Sequence, residues 1–219
     1  MSRNAASDSL LQTCGGLDLQ IDCEMCTLRP LNRARASNRY CDWLNDDEVN
    51  KFSQRLGQLH TAEEVWAYIE SANASADTLL LGIFDLTTGA HIGNIQLKFY
   101  DHANGLADLS TLIGERDFWG RGYAKDVWKH IVHFGFSVVG VRKFTMGNSA
   151  GNKAASGKTL YVGAKLESTK RQHVLVGGEY QDVLEYGLFA ADFYAKFPEL
   201  KAAPAATSAR VNDDPTHHG

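Results

Sequence analysis

The chain has 219 residues, of which 44% are hydrophobic and 22% charged, and its formal net charge is −4. This is an ordinary globular composition, long enough for one sizeable core. The charge balance lacks the basic excess that phosphate neutralisation demands, which argues against nucleic acid as a partner. No apolar run approaches the roughly 20 residues of a membrane-spanning helix, so no membrane association is expected.

Met1 to Gly16 has no long apolar core of the kind a secretory leader carries, and residues 1–19 read as a flexible lead-in. Gln20 to Arg29 reads as a first strand, closed by Pro30. Leu31 to Leu44 reads as a helix with Tyr40, Trp43 and Leu44 as its apolar contacts, ended by Asn45-Asp46-Asp47. Thr61, followed by Glu63 and Glu64, suits the N-cap of a second helix running to about Ser71. The period then changes: Thr78 to Leu86 and Ala90 to Phe99 form a hairpin around Thr87-Thr88-Gly89. Leu106 to Ile113 is a further strand. Lys125 to Val139 is a helix whose Val127, Trp128, Ile131, Val132 and Phe136 share one broad face. Val141 to Met146 is a strand and Lys153 to Val162 a short helix. Lys165 to Val176 and Tyr180 to Phe189 are strands joined at Gly177-Gly178. Residues 191–219, with His217 and His218 near the end, read as a tail. One domain is expected over residues 20–190. It is an α/β fold with a mixed, mostly antiparallel sheet of about seven strands flanked by helices, and Leu106 to Met146 forms a parallel crossover.

The cysteines are Cys14, Cys23, Cys26 and Cys41. Cys23 and Cys26 make a C-x-x-C, but no second pair or spaced histidines complete a zinc pattern. Within one continuous strand, residues three apart face opposite sides. The two are therefore expected as separate free thiols, and no metal is expected. Nothing demands a disulfide, which points to a reducing cytoplasm.

The segment from Ile113 to Ala124, I-G-E-R-D-F-W-G-R-G-Y-A, lies between a strand and a helix. Gly120 and Gly122 permit close backbone approach and conformations other residues resist. The free amides and positive dipole end of the following helix face the same place, which makes an anion site suited to a pyrophosphate. A dinucleotide-binding site of the Rossmann kind would want a third glycine where Lys125 stands.

Phe118-Trp119-Gly120-Arg121-Gly122-Tyr123-Ala124 resembles the acetyl-CoA pyrophosphate loop of the GNAT superfamily, in the branch of ribosomal-protein N-acetyltransferases and their small-molecule relatives. Further stretches are similar in the expected order: Leu28-Arg29-Pro30-Leu31, Trp43 to Val49 (W-L-N-D-D-E-V), His91 to Ile95 (H-I-G-N-I), Asn152-Lys153-Ala154-Ala155, and Gly178 to Asp182 (G-E-Y-Q-D). The resemblance covers roughly residues 20–190 and implies a splayed central strand pair. It implies that the backbone of Leu112 and Ile113 meets the pantetheine arm of acetyl-CoA. The amides of Gly120, Arg121, Gly122, Tyr123 and Ala124 would hold the pyrophosphate, and Asn152 would bond near the reactive end, a role that competes with N-capping. Departures are Ala155 for the usual Ser, Ala164 for the usual Phe, and Asp117 in a loop that should welcome phosphate. Many relatives place a Tyr general acid where Thr159 stands here, with Tyr161 two residues on.

Acetyl transfer from a thioester needs a neutral amine held in line with the carbonyl, a group to take its proton and a donor for the developing oxyanion. Asp108 and Glu115 are the candidate bases, with His91 or His102 as further ones, Tyr161 is the candidate acid, and His91 and Asn94 are the candidate acceptor-binding residues. The resemblance implies an enzyme that moves acetyl from acetyl-CoA directly to a primary amine of a small molecule, amino sugars among them. The alternatives are a protein N-terminal acetyltransferase of the ribosomal-protein kind and a non-catalytic acyl-CoA-binding protein. A homodimer is compatible with each.

Overall fold

Strands β1 (Ile21–Asp22), β2 (Cys26–Pro30), β3 (Thr78–Asp85), β4 (His91–Asp101), β5 (Leu106–Ile113), β6 (Lys143–Ser149), β7 (Lys165–Val176) and β8 (Glu179–Phe189) form one sheet in the computed structural model, which describes residues 8–203. Their order is β1-β2-β3-β4-β5-β6-β8-β7, and every neighbouring pair is antiparallel except β5 and β6. Those two pair only at Leu106↔Lys143 and Ala107↔Phe144 and then part, so the sheet opens beyond residue 107 of β5.

The helices are α1 (Leu10–Thr13), α2 (Arg39–Leu44), α3 (Asp47–Asn50), α4 (Ala62–Ala74), α5 (Tyr123–Phe134), α6 (Lys153–Tyr161) and α7 (Ala190–Lys196). Helix α5 lays Val127, Trp128, Ile131 and Val132 on one sheet face, in a core shared with Phe144, Leu188 and Phe193. Helices α2 and α4 cover the other face through Tyr40, Trp43, Val65 and Ile69. Thr61 and Glu64 form a reciprocal capping box at the start of α4, which fixes where the acidic first turn sits. No helix among the described residues is long and apolar enough to cross a membrane.

The expected first strand is instead a hairpin, which brings the strand count to eight. Ile21 pairs with Leu28 and Asp22 with Thr27, and the Cys23 amide donates to the Cys26 carbonyl at 2.9 Å. Cys23 and Cys26 are thus opposite each other across the turn Glu24-Met25, and their thiols lie within 4.8 Å of each other and of the Asp126 carboxylate. The expectation that the thiols point apart fails because the strand is broken between them. Two further differences concern extent. The helix expected from Leu31 begins only at Arg39, because Asn32 Oδ1 accepts from the amides of Ala34 and Arg35 and holds a turn there. The packed chain also passes the expected ends at 20 and 190: Leu10 and Leu11 of α1 and Phe193 of α7 are buried in the main core. His217 and His218 lie outside the described residues.

Candidate active site

The gap between β5 and β6 leads into a cleft of about 800 Å³. Its walls are the end of β5, the glycine loop, the start of α5 and the segment leading into α6. Gly120 and Gly122 adopt φ of 72° and 100°, the left-handed region where glycine carries no Cβ penalty. The amides of residues 120–124 donate no hydrogen bond among the described residues, so five donors are left for a ligand at the positive end of α5.

Leu112, Ile113, Gly120, Gly122, Tyr123, Ala124 and Asn152 all line this cleft. The Ile113 carbonyl accepts from Trp119 Nε1 at 2.7 Å and is already engaged. The Tyr123 hydroxyl donates to Asp85 in the core, and burial with that bond pushes it up to about 12, so only its backbone serves the cleft. Arg121 is exposed, with its guanidinium 5.7 Å from the Phe118 ring centroid. Asn152 caps α6, its Oδ1 accepting from the Ala155 amide at 2.9 Å. Asp117 lies in a separate depression beside Arg39 and Arg116, away from the phosphate side.

Four lysines line this cleft, Lys125, Lys153, Lys158 and Lys51, and the motifs assign none of them a role. The first two stand in the opening turns of α5 and α6, where a cation opposes the helix dipole. That local misfit is the signal that marks them, and an anionic ligand would remove it. Lys158 has its Nζ 4.5 Å from the Trp128 ring centroid. Burial, only partly offset by Asp108, pulls its ammonium down to about 8.

A second cavity of about 380 Å³ lies under α4 and the segment before it. The two cavities share Val49, Phe52, Thr111, Leu112 and Asn152, so they meet where β5 frees its edge. Asn94, Gln96 and Ser110 supply its sheet wall, and Tyr40, Arg55, His60, Glu64 and Tyr68 the rest. His60 Nε2 is buried and has no hydrogen-bond partner. His91 does not line the cavity but stands behind it. A β-bulge between Ile83 and Phe84 on the partner strand shifts the register at Ile92, so His91 and Asn94, three apart, share a face. His91 Nδ1 accepts from the Ser37 amide at 3.1 Å, so Nε2 carries the proton and donates to Asn94 Oδ1 at 2.8 Å.

The structure does not bring the other expected residues together here. Asp108 shares the β5 face of Ser110 and Leu112 but stands further back along the strand, in a depression with Lys98, Tyr100 and Glu185, and lines neither cavity. Burial raises its carboxyl. Glu115 is turned to Arg39, whose Nη2 donates to Oε2 at 3.0 Å, and to Trp43 Nε1 at 3.1 Å. Tyr161 packs on Phe197, with ring centroids 5.5 Å apart, and lines neither cavity. Thr159 is fully buried, donating to the Ala155 carbonyl at 3.0 Å and accepting from Asn148 at 3.1 Å, which leaves it no proton for a ligand.

The same fold occurs in solved structures. Spermidine N-acetyltransferase from Vibrio cholerae, in complex with CoA and spermine, superposes with a TM-score of 0.69 at 16% identity, covering 77% of this chain and 98% of that one. A Vibrio cholerae protein assigned as a ribosomal-protein-serine acetyltransferase gives 0.59 at 20%, covering 78% and 97%. A microcin C7 self-immunity acetyltransferase, in complex with acetyl-CoA and AMP, gives 0.65 at 20%, covering 76% and 93%. At these identities the likeness is one of fold. No curated protein matches by sequence. The acetyltransferase (GNAT) domain family matches residues 26–160, a span that holds the glycine loop, the opened strand pair and Asn152. The chain belongs to the GNAT acetyltransferase family and is an acyl-CoA-dependent N-acetyltransferase.

Proposed function

We propose that this protein transfers acetyl from acetyl-CoA directly to the primary amine of a small molecule, with acetyl-CoA in the larger cleft and the acceptor in the smaller cavity. The observation that carries this reading is the junction of the two cavities at Thr111, Leu112 and Asn152. Direct transfer needs amine and thioester carbonyl in one line without water between them. A cavity of about 380 Å³ matches a small ligand and favours it over a protein N-terminus.

The pyrophosphate takes the free amides of residues 120–124, with Lys125 and Lys153 beside it. His60, with its unpartnered Nε2, takes the proton of the attacking amine. Lys158 gives a proton to the departing thiolate in place of the family's tyrosine, and its lowered pKa brings it near the working pH, where a general acid is most effective. Titrating acetyl-CoA into the wild type and into Gly122→Trp by calorimetry tests the cofactor half, since the indole would fill the loop. Binding by the wild type and none by the variant is expected. Thiol release with an amine panel then tests transfer. A folded wild type that does not bind acetyl-CoA overturns the reading.

A further inference from the structure

The free hydrogen-bonding groups of the smaller cavity are mostly donors. Gln96 Nε2 donates to the Tyr68 hydroxyl at 2.7 Å, which fills a lone pair there and leaves the phenolic proton free. His91 occupies Asn94 Oδ1, so Asn94 presents Nδ2, which is buried near the Tyr40 hydroxyl without a full hydrogen bond. Burial raises the Tyr40 and Tyr68 hydroxyls, so both stay protonated. The Arg55 guanidinium lies close enough to both to act on their ionisation, and it makes no ion pair with any described residue. The single carboxylate of the wall, Glu64, already accepts from the Thr61 amide at 2.8 Å.

A buried donor without a full hydrogen bond, as at Asn94, costs free energy that a ligand supplying an acceptor recovers, while Arg55 and Tyr68 stand exposed beside it. A planar guanidinium with hydroxyl and amide donors around it matches a carboxylate or a phosphate monoester. A second ammonium at that place would meet the Arg55 guanidinium at close range, with the one carboxylate of the wall, Glu64, already engaged by the Thr61 amide. We propose that the acceptor is an amine that also carries an anionic oxygen group, held by Arg55, Tyr68 and Asn94, while its amine end points to the junction with the cofactor cleft. This rests on the function proposed above.

The test uses matched pairs: threonine against threoninamide for a carboxylate, and glucosamine 6-phosphate against glucosamine for a phosphate, with spermidine as the polycation. Thiol release is measured at fixed acetyl-CoA with wild type, Arg55→Ala and Arg55→Lys. In at least one pair the anionic member is expected to exceed its neutral partner by about tenfold or more in kcat/KM, a ratio that collapses towards one in Arg55→Ala and partly survives in Arg55→Lys. The pair that responds identifies the group. A ratio at or below one in both pairs, a ratio unchanged in Arg55→Ala, or spermidine as the best acceptor overturns the proposal. Calorimetric binding of the same amines to the CoA-loaded protein keeps the two readings separate. Anionic amines that bind through Arg55 without thiol release leave the anion site standing and remove the transferase reading. Turnover of neutral amines alone does the reverse.

Discussion

Replacing Lys158 with methionine removes a half-buried ammonium while keeping most of its stem, and it should raise stability while lowering activity. The ammonium is pulled from 10.5 to about 8 by burial, a displacement worth about 3 kcal/mol. Methionine forfeits the contact with Trp128, worth about 1–2 kcal/mol when shielded from water. The net expected gain at pH 7 is therefore about 1–2 kcal/mol, or about 2–8 °C in Tm for a chain of this size. The unfolded chain binds the proton more tightly than the folded one, so wild-type stability rises with pH between the two pKa values. The advantage of the variant should be full below pH 8 and shrink from there towards 10.5. Scanning calorimetry from pH 6.5 to 9.5 on both proteins measures this, with thiol release at pH 7.5 expected to fall. A variant less stable than wild type at pH 7, or an advantage that grows with pH, would refute the reasoning.

Three other outcomes follow from the geometry. His60→Gln should lower kcat by about a hundredfold with acetyl-CoA affinity unchanged in calorimetry; a loss under threefold would assign the proton to another group. Burial alone would raise the Asp126 carboxyl, but hydrogen bonds from His130 and from the amides of Met25 and Glu24 outweigh it and hold it below the usual range. Asp126→Asn should cost about 1–3 kcal/mol at pH 7, a deficit that fades as pH falls below about 4 because a depressed acid loses its contribution on protonation; urea midpoints across pH 3–7 measure it. A Cβ at Gly114 would lie 1.9 Å from Trp43 Cδ2, so Gly114→Ala should lower stability by about 1–3 kcal/mol, and an unchanged Tm would show that Trp43 yields easily.

Local chemistry made the cofactor half of the site legible. Gly120, Gly122 and the start of α5 announce an anion site within a dozen consecutive residues. The acceptor half is assembled from α4, its preceding segment and β4, and no spacing rule links Arg55 to Asn94 or His60 to Thr111. The turn Glu24-Met25 was hidden for the same reason: it contains neither Gly nor Asn, and is held by Asp126 Oδ1 and Oδ2 accepting from its amides at 3.1 and 2.8 Å. Asp108 and Glu115 were sought as bases because they flank the loop in sequence. Asp108 stands too far back along β5 to reach either cavity, although it shares the face of Ser110 and Leu112, and Arg39 with Trp43 engages Glu115.

That same Asp126 couples two distant parts of the molecule. It stands in the first turn of α5, just past the amides offered to pyrophosphate, and its carboxylate clasps the edge hairpin of Cys23 and Cys26. Opening of the hairpin and loosening of the phosphate cradle are then one equilibrium, so a ligand seated on the loop tightens the sheet's outermost strand through α5, whose Lys129 also pairs with Glu24 at 2.9 Å. Amide exchange at Cys23 and at Ile21 and Asp22 of β1 should slow on acetyl-CoA binding and report cofactor occupancy from the edge of the sheet.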